Sequence, residues 1–212
     1  MFGTQNLSLF VISGLLLNIA PGPDSVLVMT RSASQGFKAG SAAALGIGAG
    51  VFVHVAAAAL GLSALLAASA WGFTLVKWLG AAYLVYMGLQ LLFSRAETGL
   101  TAIDSQPKPL PWRALFAQGF LTNALNPKVA LFFLAFVPQF IAPEAPNKAL
   151  AFIALGVIFN VGGMLWCHAL ALLTARASQR IRLGGHMALW LNRVIGALFV
   201  SFGVKLALGG AR

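Results

Sequence analysis

The chain has 212 residues, 59% of them hydrophobic and 8% charged, with a net charge of +10 at neutral pH. Fourteen basic and four acidic side chains cannot clothe a water-soluble domain of this size, so the natural solvent is a lipid bilayer. Nucleic acid is excluded as a partner, because the basic residues fall in short connectors between apolar runs and form no soluble basic face.

The predicted elements are six apolar helices, each long enough to cross roughly 30 Å of hydrocarbon. They run approximately over Leu7–Thr30, Ser41–Ala67, Phe73–Phe93, Ala114–Val137, Ala149–Thr174 and Leu189–Leu208. The first is expected to be retained and not cleaved as a signal peptide, since "MFGTQN" carries no Lys or Arg. It contains "NIAPGPDSVLVMTR" (18–31), in which Pro21 and Pro23 each remove a backbone donor and Gly22 loosens the chain between them. The second helix carries Ala42, Gly46, Gly50, His54 and Ala58 on one face, with a GxxxG pattern that permits close helix approach. That stripe would serve a homo-oligomer or be spent within the monomer. The third helix offers Tyr83, Tyr86 and Gln90 for hydrogen bonds or packing. A proline-containing connector (95–113) follows and reads as a linker between halves. The fourth helix is interrupted by Asn123, Asn126 and Pro127. The fifth places Asn160 and His168 eight residues apart and holds the one cysteine, Cys167, which reads as an inert core residue.

The two halves resemble each other in order. "LLNIAPGPDSVLVM" parallels "LTNALNPKVALFFL", with Pro23 over Pro127 and Asp24 over Lys128. "AALGIGAGVF" parallels "IALGVIFNVG", and "LGAAYLVYMGLQLL" parallels "IGALFVSFGVKLAL". Each unit holds three spans, an odd number, so the second crosses in the opposite sense. The expected fold is therefore an all-α integral membrane protein with six transmembrane helices as a 3+3 inverted repeat, helices 1 and 4 broken by prolines. It forms a single polytopic membrane domain over 1–212, with repeat one at 1–94, a cytoplasmic linker at 95–113 and repeat two at 114–212. Nine Lys and Arg residues fall in the odd connectors, Arg31 and Lys38 in the first of them, against four on the opposite side, which places the odd connectors in the cytoplasm and both termini outside.

Asp24 is the one acid inside a span and Lys128 the one basic residue well inside one, and each must be paired or face a cavity. A pseudo-two-fold axis brings the broken stretches together. Asp24 and Lys128, framed by Pro21, Gly22, Pro23, Asn126 and Pro127, would then hold an α-amino acid by its ammonium and carboxylate. The half-helix after Pro23 would add free N–H groups and a positive dipole end. On the alternative reading Asp24 N-caps that half-helix and pairs permanently with Lys128. Asn18, Asn123, His54, Asn160 and His168 are secondary candidates, each histidine being a proton relay or a group satisfied by one interhelical hydrogen bond. No cofactor or metal is expected. Nor is an enzyme, because no Ser/His/Asp set, metal-spacing motif or phosphate-binding glycine loop is present.

"NIAPGPDSVLVMTRSASQGFKAGSAAALGIGAG" and "NPKVALFFLAFVPQF" resemble the LysE/RhtB superfamily of bacterial amino-acid exporters, in order over nearly the whole chain. The resemblance maps the family's Pro-Gly-Pro-acid motif onto Pro21, Gly22, Pro23 and Asp24, and its Asn-Pro-Lys motif onto Asn126, Pro127 and Lys128. It implies a multi-pass protein of the bacterial inner membrane that moves amino acids or related metabolites outwards on the proton gradient. The superfamily's thiol–disulfide carriers need two cysteines and are excluded. A cation or metal exporter of the same superfamily, or a non-transporting scaffold or assembly subunit, are the alternatives.

Overall fold

The computed structural model describes residues 2–62 and 109–176, with separate positions between 71 and 93 and between 193 and 208. Among the described residues the regular structure is helical, apart from one antiparallel bridge between Thr4 and Ile141. Helix α1 (Leu7–Ile19) and helix α2 (Pro23–Gln35) form a pair bent by 54°, together long and apolar enough to be one broken span. Helix α3 (Phe37–Ala57) runs on through a π-helical turn, Ala58–Leu62. Helix α4 (Trp112–Ala124) and helix α5 (Pro127–Leu131) form a second bent span, at 46°. It continues through a π-helical turn at Phe132–Phe136 and a 3-10 turn at Val137–Phe140. Helix α6 covers Lys148–Arg176.

Two helices, Phe37–Gly61 and Lys148–Arg176, are long and apolar enough to cross a membrane, and each bent pair passes the same test as one broken span. Bulky apolar side chains point outwards, Leu125 at 77% and Leu60 at 76% exposed, which suits lipid and not water. Much of the predicted third and sixth spans, Tyr83 and most of the 95–113 linker lie outside the described residues. Where positions of those two spans are described they are helical except Phe93, and Gly203 packs directly on the carbonyl of Ala81 and on Val85.

The prolines restart helices. After α1 the chain leaves helical geometry at Ala20, Gly22 is extended at φ −171° as the N-cap, and Pro23 takes the first position of α2. A proline there forfeits nothing, because that N–H has no intrahelical acceptor. The second break repeats the pattern, with Asn126 as N-cap and Pro127 first in α5. Residues 20–22 separate α1 from α2, whereas only residues 125 and 126 separate α4 from α5. Gly36, at φ +80°, ends α2 and begins α3 at one residue, a conformation that glycine adopts without strain.

Helices α3 and α4 touch backbone to backbone. A Cβ on Gly46 would collide with the carbonyl of Phe116, and one on Gly119 with the carbonyl of Ala43. A Cβ on Gly50 would lie 2.8 Å from the Phe120 carbonyl oxygen. The GxxxG stripe is thus spent inside the monomer. Gly48 turns instead to Met164 and Asn160 on α6, and Gly156 to Val55, so α3 is wedged between α4 and α6.

The two bent spans run antiparallel. At one end Gln5 N donates to Phe140 O (2.8 Å) and Ala142 N to Gly3 O (2.8 Å). At the other, Gln35 Nε2 donates to Leu110 O (3.1 Å), Leu110 N to Gln35 Oε1 (3.2 Å) and Arg31 Nε to Gln118 Oε1 (3.0 Å). Towards the Gln5 end the space is filled by Phe10, Phe132, Phe133, Phe136, Phe140 and Phe159, with successive ring centroids about 5–6 Å apart.

Gly119→Val should therefore cost about 1–3 kcal/mol or prevent folding, whereas Gly61→Ala, which meets nothing within 4 Å, should be neutral. Thermal unfolding in detergent, followed by size-exclusion chromatography, checks both.

Candidate functional site

Asp24 is the second residue of α2 and Lys128 the second of α5, so both breaks read N-cap, proline, charge. Each charge reaches across to the opposite span. Asp24 Oδ2 accepts from Asn123 Nδ2 at 2.8 Å, at the end of α4, and from Asn126 Nδ2 at 3.1 Å. Lys128 Nζ donates to the carbonyls of Leu17 and Ala20, both at 3.0 Å, at the end of α1. Those carbonyls lie in the last turn of α1 and at its C-cap, where the cation also meets the negative end of the helix dipole. A Cβ on Gly22 would lie 3.1 Å from Nζ, so a side chain there would crowd the ammonium.

This geometry corrects two expectations. Asp24 does not cap α2, since Gly22 holds that position. Nor do Asp24 and Lys128 make a permanent pair, because neither carboxylate oxygen bonds the ammonium; Oδ1 is buried with no hydrogen-bond partner. Asn126 does double duty. Its Oδ1 accepts from Lys128 N at 3.0 Å and caps α5, while its Nδ2 holds Asp24.

Asn18, Asp24, Asn123, Lys128 and Asn160 line one cavity of about 20 Å³, against the roughly 10–15 Å³ that a single water needs. That is room for about one water. Three polar atoms of its wall residues are buried without a partner: Asp24 Oδ1 and Asn123 Oδ1, both acceptors, and Asn18 Nδ2, a donor. Lys128 has one further proton beyond its two carbonyl bonds. Two acceptors beside two donors make a match for a small group with an ammonium at one end and a carboxylate at the other.

The remaining candidates are placed differently. Pro21, Pro23 and Pro127 are exposed and shape the backbone without lining the cavity. His54 Nε2 lies 2.9 Å from Asn123 O. A carbonyl only accepts, so that nitrogen carries the hydrogen, and the ring stacks on Phe133 at 6.4 Å. It is the interhelical hydrogen-bonding histidine of the two readings. His168 Nδ1 lies 2.8 Å from Met164 O and Nε2 3.0 Å from Ser41 Oγ, away from the cavity. The eight-residue spacing explains this, because eight steps of about 100° overshoot a helix face by roughly 80° whereas seven fall back on it. Cys167, seven residues after Asn160, accordingly lines the cavity together with Met164. That periodicity was available in the sequence. Arg31 was assigned to a connector but is buried, at 8% exposed; its place seven residues after Asp24 was the available signal. Among the described residues no group of three or more His, Cys, Asp or Glu is arranged to hold a metal ion.

Lys128→Met would strand the Leu17 and Ala20 carbonyls and is expected to cost about 2–3 kcal/mol in thermal unfolding. The exchange Asp24→Lys with Lys128→Asp should fold worse still, since it sets a carboxylate against two carbonyl oxygens.

The family model described as "LysE type translocator" matches residues 15–210. An uncharacterized membrane protein of Pseudomonas aeruginosa is 34% identical over 93% of this chain and 93% of its own. The uncharacterized membrane protein YrhP of Bacillus subtilis is 32% identical over 96% and 99%. The homoserine/homoserine lactone efflux protein of Salmonella typhi is 31% identical over 93% and 94%. No solved structure matches the chain.

Proposed function

The chain belongs to the LysE type translocator family, and from that premise we propose that it is a secondary transporter exporting amino acids or close derivatives across the bacterial inner membrane. One observation carries this reading. Opposite charges at corresponding positions of two broken helices face one cavity, each held by the other span while an acceptor of Asp24 and a donor of Lys128 stay unspent. The efflux relative from Salmonella typhi supports the substrate class.

The transporter works by alternating access on six helices in a 3+3 inverted repeat within one membrane domain. The antiparallel course of the two bent spans supports that arrangement. The basic connectors face the cytoplasm and both termini the periplasm. A cavity of about 20 Å³ is too small for an amino acid, so the α1–α2 and α4–α5 spans must separate at one end to admit substrate. The substrate ammonium takes Asp24 Oδ1 and Asn123 Oδ1. Its carboxylate draws on Asn18 Nδ2 and the third Lys128 proton. Asp24, the one carboxylate within a span, exchanges this ammonium for a proton at the outer face, which couples export to the proton gradient. The scaffold alternative rested on a free GxxxG face, and that face is occupied by α4.

Proteoliposomes under an imposed pH gradient test this, with homoserine as substrate. Asp24→Asn, which keeps the shape and one acceptor oxygen for Asn123 and Asn126, is expected to lower gradient-driven transport about 100-fold or more while eluting as folded protein. Full gradient-driven export by that variant would end the coupling role.

A further inference from the structure

The two bent spans meet along unlike seams on either side of their breaks. Towards the Gln5 end the seam is aromatic. Towards the Gln35 end it is polar and made of three rungs. Asp24 with Asn123 and Asn126 comes first, then Arg31 with Gln118, then Gln35 with Leu110. Arg31 holds the middle rung. It is 8% exposed, its Nε donates to Gln118 Oε1 at 3.0 Å, and its Nη1 is buried with no hydrogen-bond partner. A guanidinium carries five donors and does not give up its charge, so its burial against one neutral amide leaves it short of an anion.

Nothing resident supplies that anion among the described residues. Asp24 is two helical turns back, about 10 Å along α2, and its Oδ2 is engaged by two asparagines. The other cation of the site, Lys128, has two of its three protons committed to the carbonyls of Leu17 and Ala20. The planar fork of Arg31 is also the better match for a carboxylate.

We propose that Arg31 is a separate binding station for the substrate carboxylate, on a route that runs along the α2–α4 seam between the Gln35–Leu110 rung and the central cavity. This rests on the exporter reading. An α-amino acid is too short to bridge Arg31 and Asp24, so the two stations act in sequence. The carboxylate first displaces Gln118 from Arg31, and the ammonium then moves on to Asp24.

Homoserine and homoserine lactone form a matched probe pair, because both carry the ammonium and only homoserine has a free carboxylate. In inside-out membrane vesicles, Arg31→Gln is expected to raise KM for homoserine about tenfold with kcat within about twofold, leaving the lactone's KM unchanged. Gln118→Glu gives Arg31 a resident carboxylate while keeping the α2–α4 contact. It should produce the same split and covers the case of a misfolded Arg31→Gln. Equal losses for both substrates, or a fall in kcat at constant KM, would make Arg31 a helix-closing residue and overturn the proposal. Phenylglyoxal labelling of Arg31 in the purified protein, read by mass spectrometry, is independent of transport. Homoserine should slow it about threefold or more and the lactone should not; failure to label, or labelling without protection, also overturns the station. A wild type that moves neither compound would instead strike the exporter reading, with the labelling result still deciding Arg31.

Discussion

A transmembrane helix that breaks leaves carbonyl groups without partners, and hydrocarbon offers none. At the end of α1 the freed acceptors include the carbonyls of Leu17 and Ala20, and the ammonium of Lys128 satisfies both. Much else in the molecule depends on that contact. It holds the second bent span against the first at the level of both breaks. It favours a residue without a side chain at Gly22, and it places a cation at the negative end of α1. The answering contact, Asp24 on Asn123 and Asn126, ties the first span into the second. The crossing is reciprocal, with each charge spent on the other's helix and not on its opposite.

Reciprocity also explains why charges persist here at all. A direct Asp24–Lys128 pair would satisfy both ions, and a satisfied pair binds nothing. Splitting the charges onto neutral amides and carbonyls leaves each partly unfulfilled, with Asp24 Oδ1 free of any bond. Burial then carries a cost that a zwitterion of the right length removes. On the proposed reading, the affinity of the site lies in that unmet hydrogen bonding.

The breaks, the repeat of proline and charge, and the small-residue stripe were legible in the sequence, because proline, glycine and an intramembrane charge each have one dominant physical reason to be where they are. Partner choice was not. No spacing rule says that Lys128 prefers the α1 carbonyls to Asp24, since that depends on the one-residue difference between the breaks and on how closely Gly46 and Gly119 let α3 and α4 approach. Arg31 was misplaced for a related reason. Counting charges in connectors assumes that a helix ends where apolar residues end, and α2 continues to Gln35 with Arg31 and Ser32 buried on one face. His168 and Cys167 differ by one residue, yet one faces Ser41 and the other the cavity. A boundary-level reading of a span does not resolve a shift of about 100°.

The two seams differ in what opening them would cost. On the Gln5 side, parting the spans would uncover Phe10, Phe132 and Phe140, which are 0–3% exposed, and would break backbone hydrogen bonds between residues 3–5 and 140–142. On the Gln35 side the contacts between spans are side-chain hydrogen bonds that water can replace one for one. Parting the spans here by moving α2 would also lift it off α3 and α6, where Val28 is fully buried and Ser32 sits against Gly40. Water entering this seam from the Gln35 end meets Arg31 before Asp24, which lies two helical turns further in. Parting the Gln5 side carries a loss of aromatic contact that no water can replace, so on the proposed reading the free energy for it would have to come from the bound substrate.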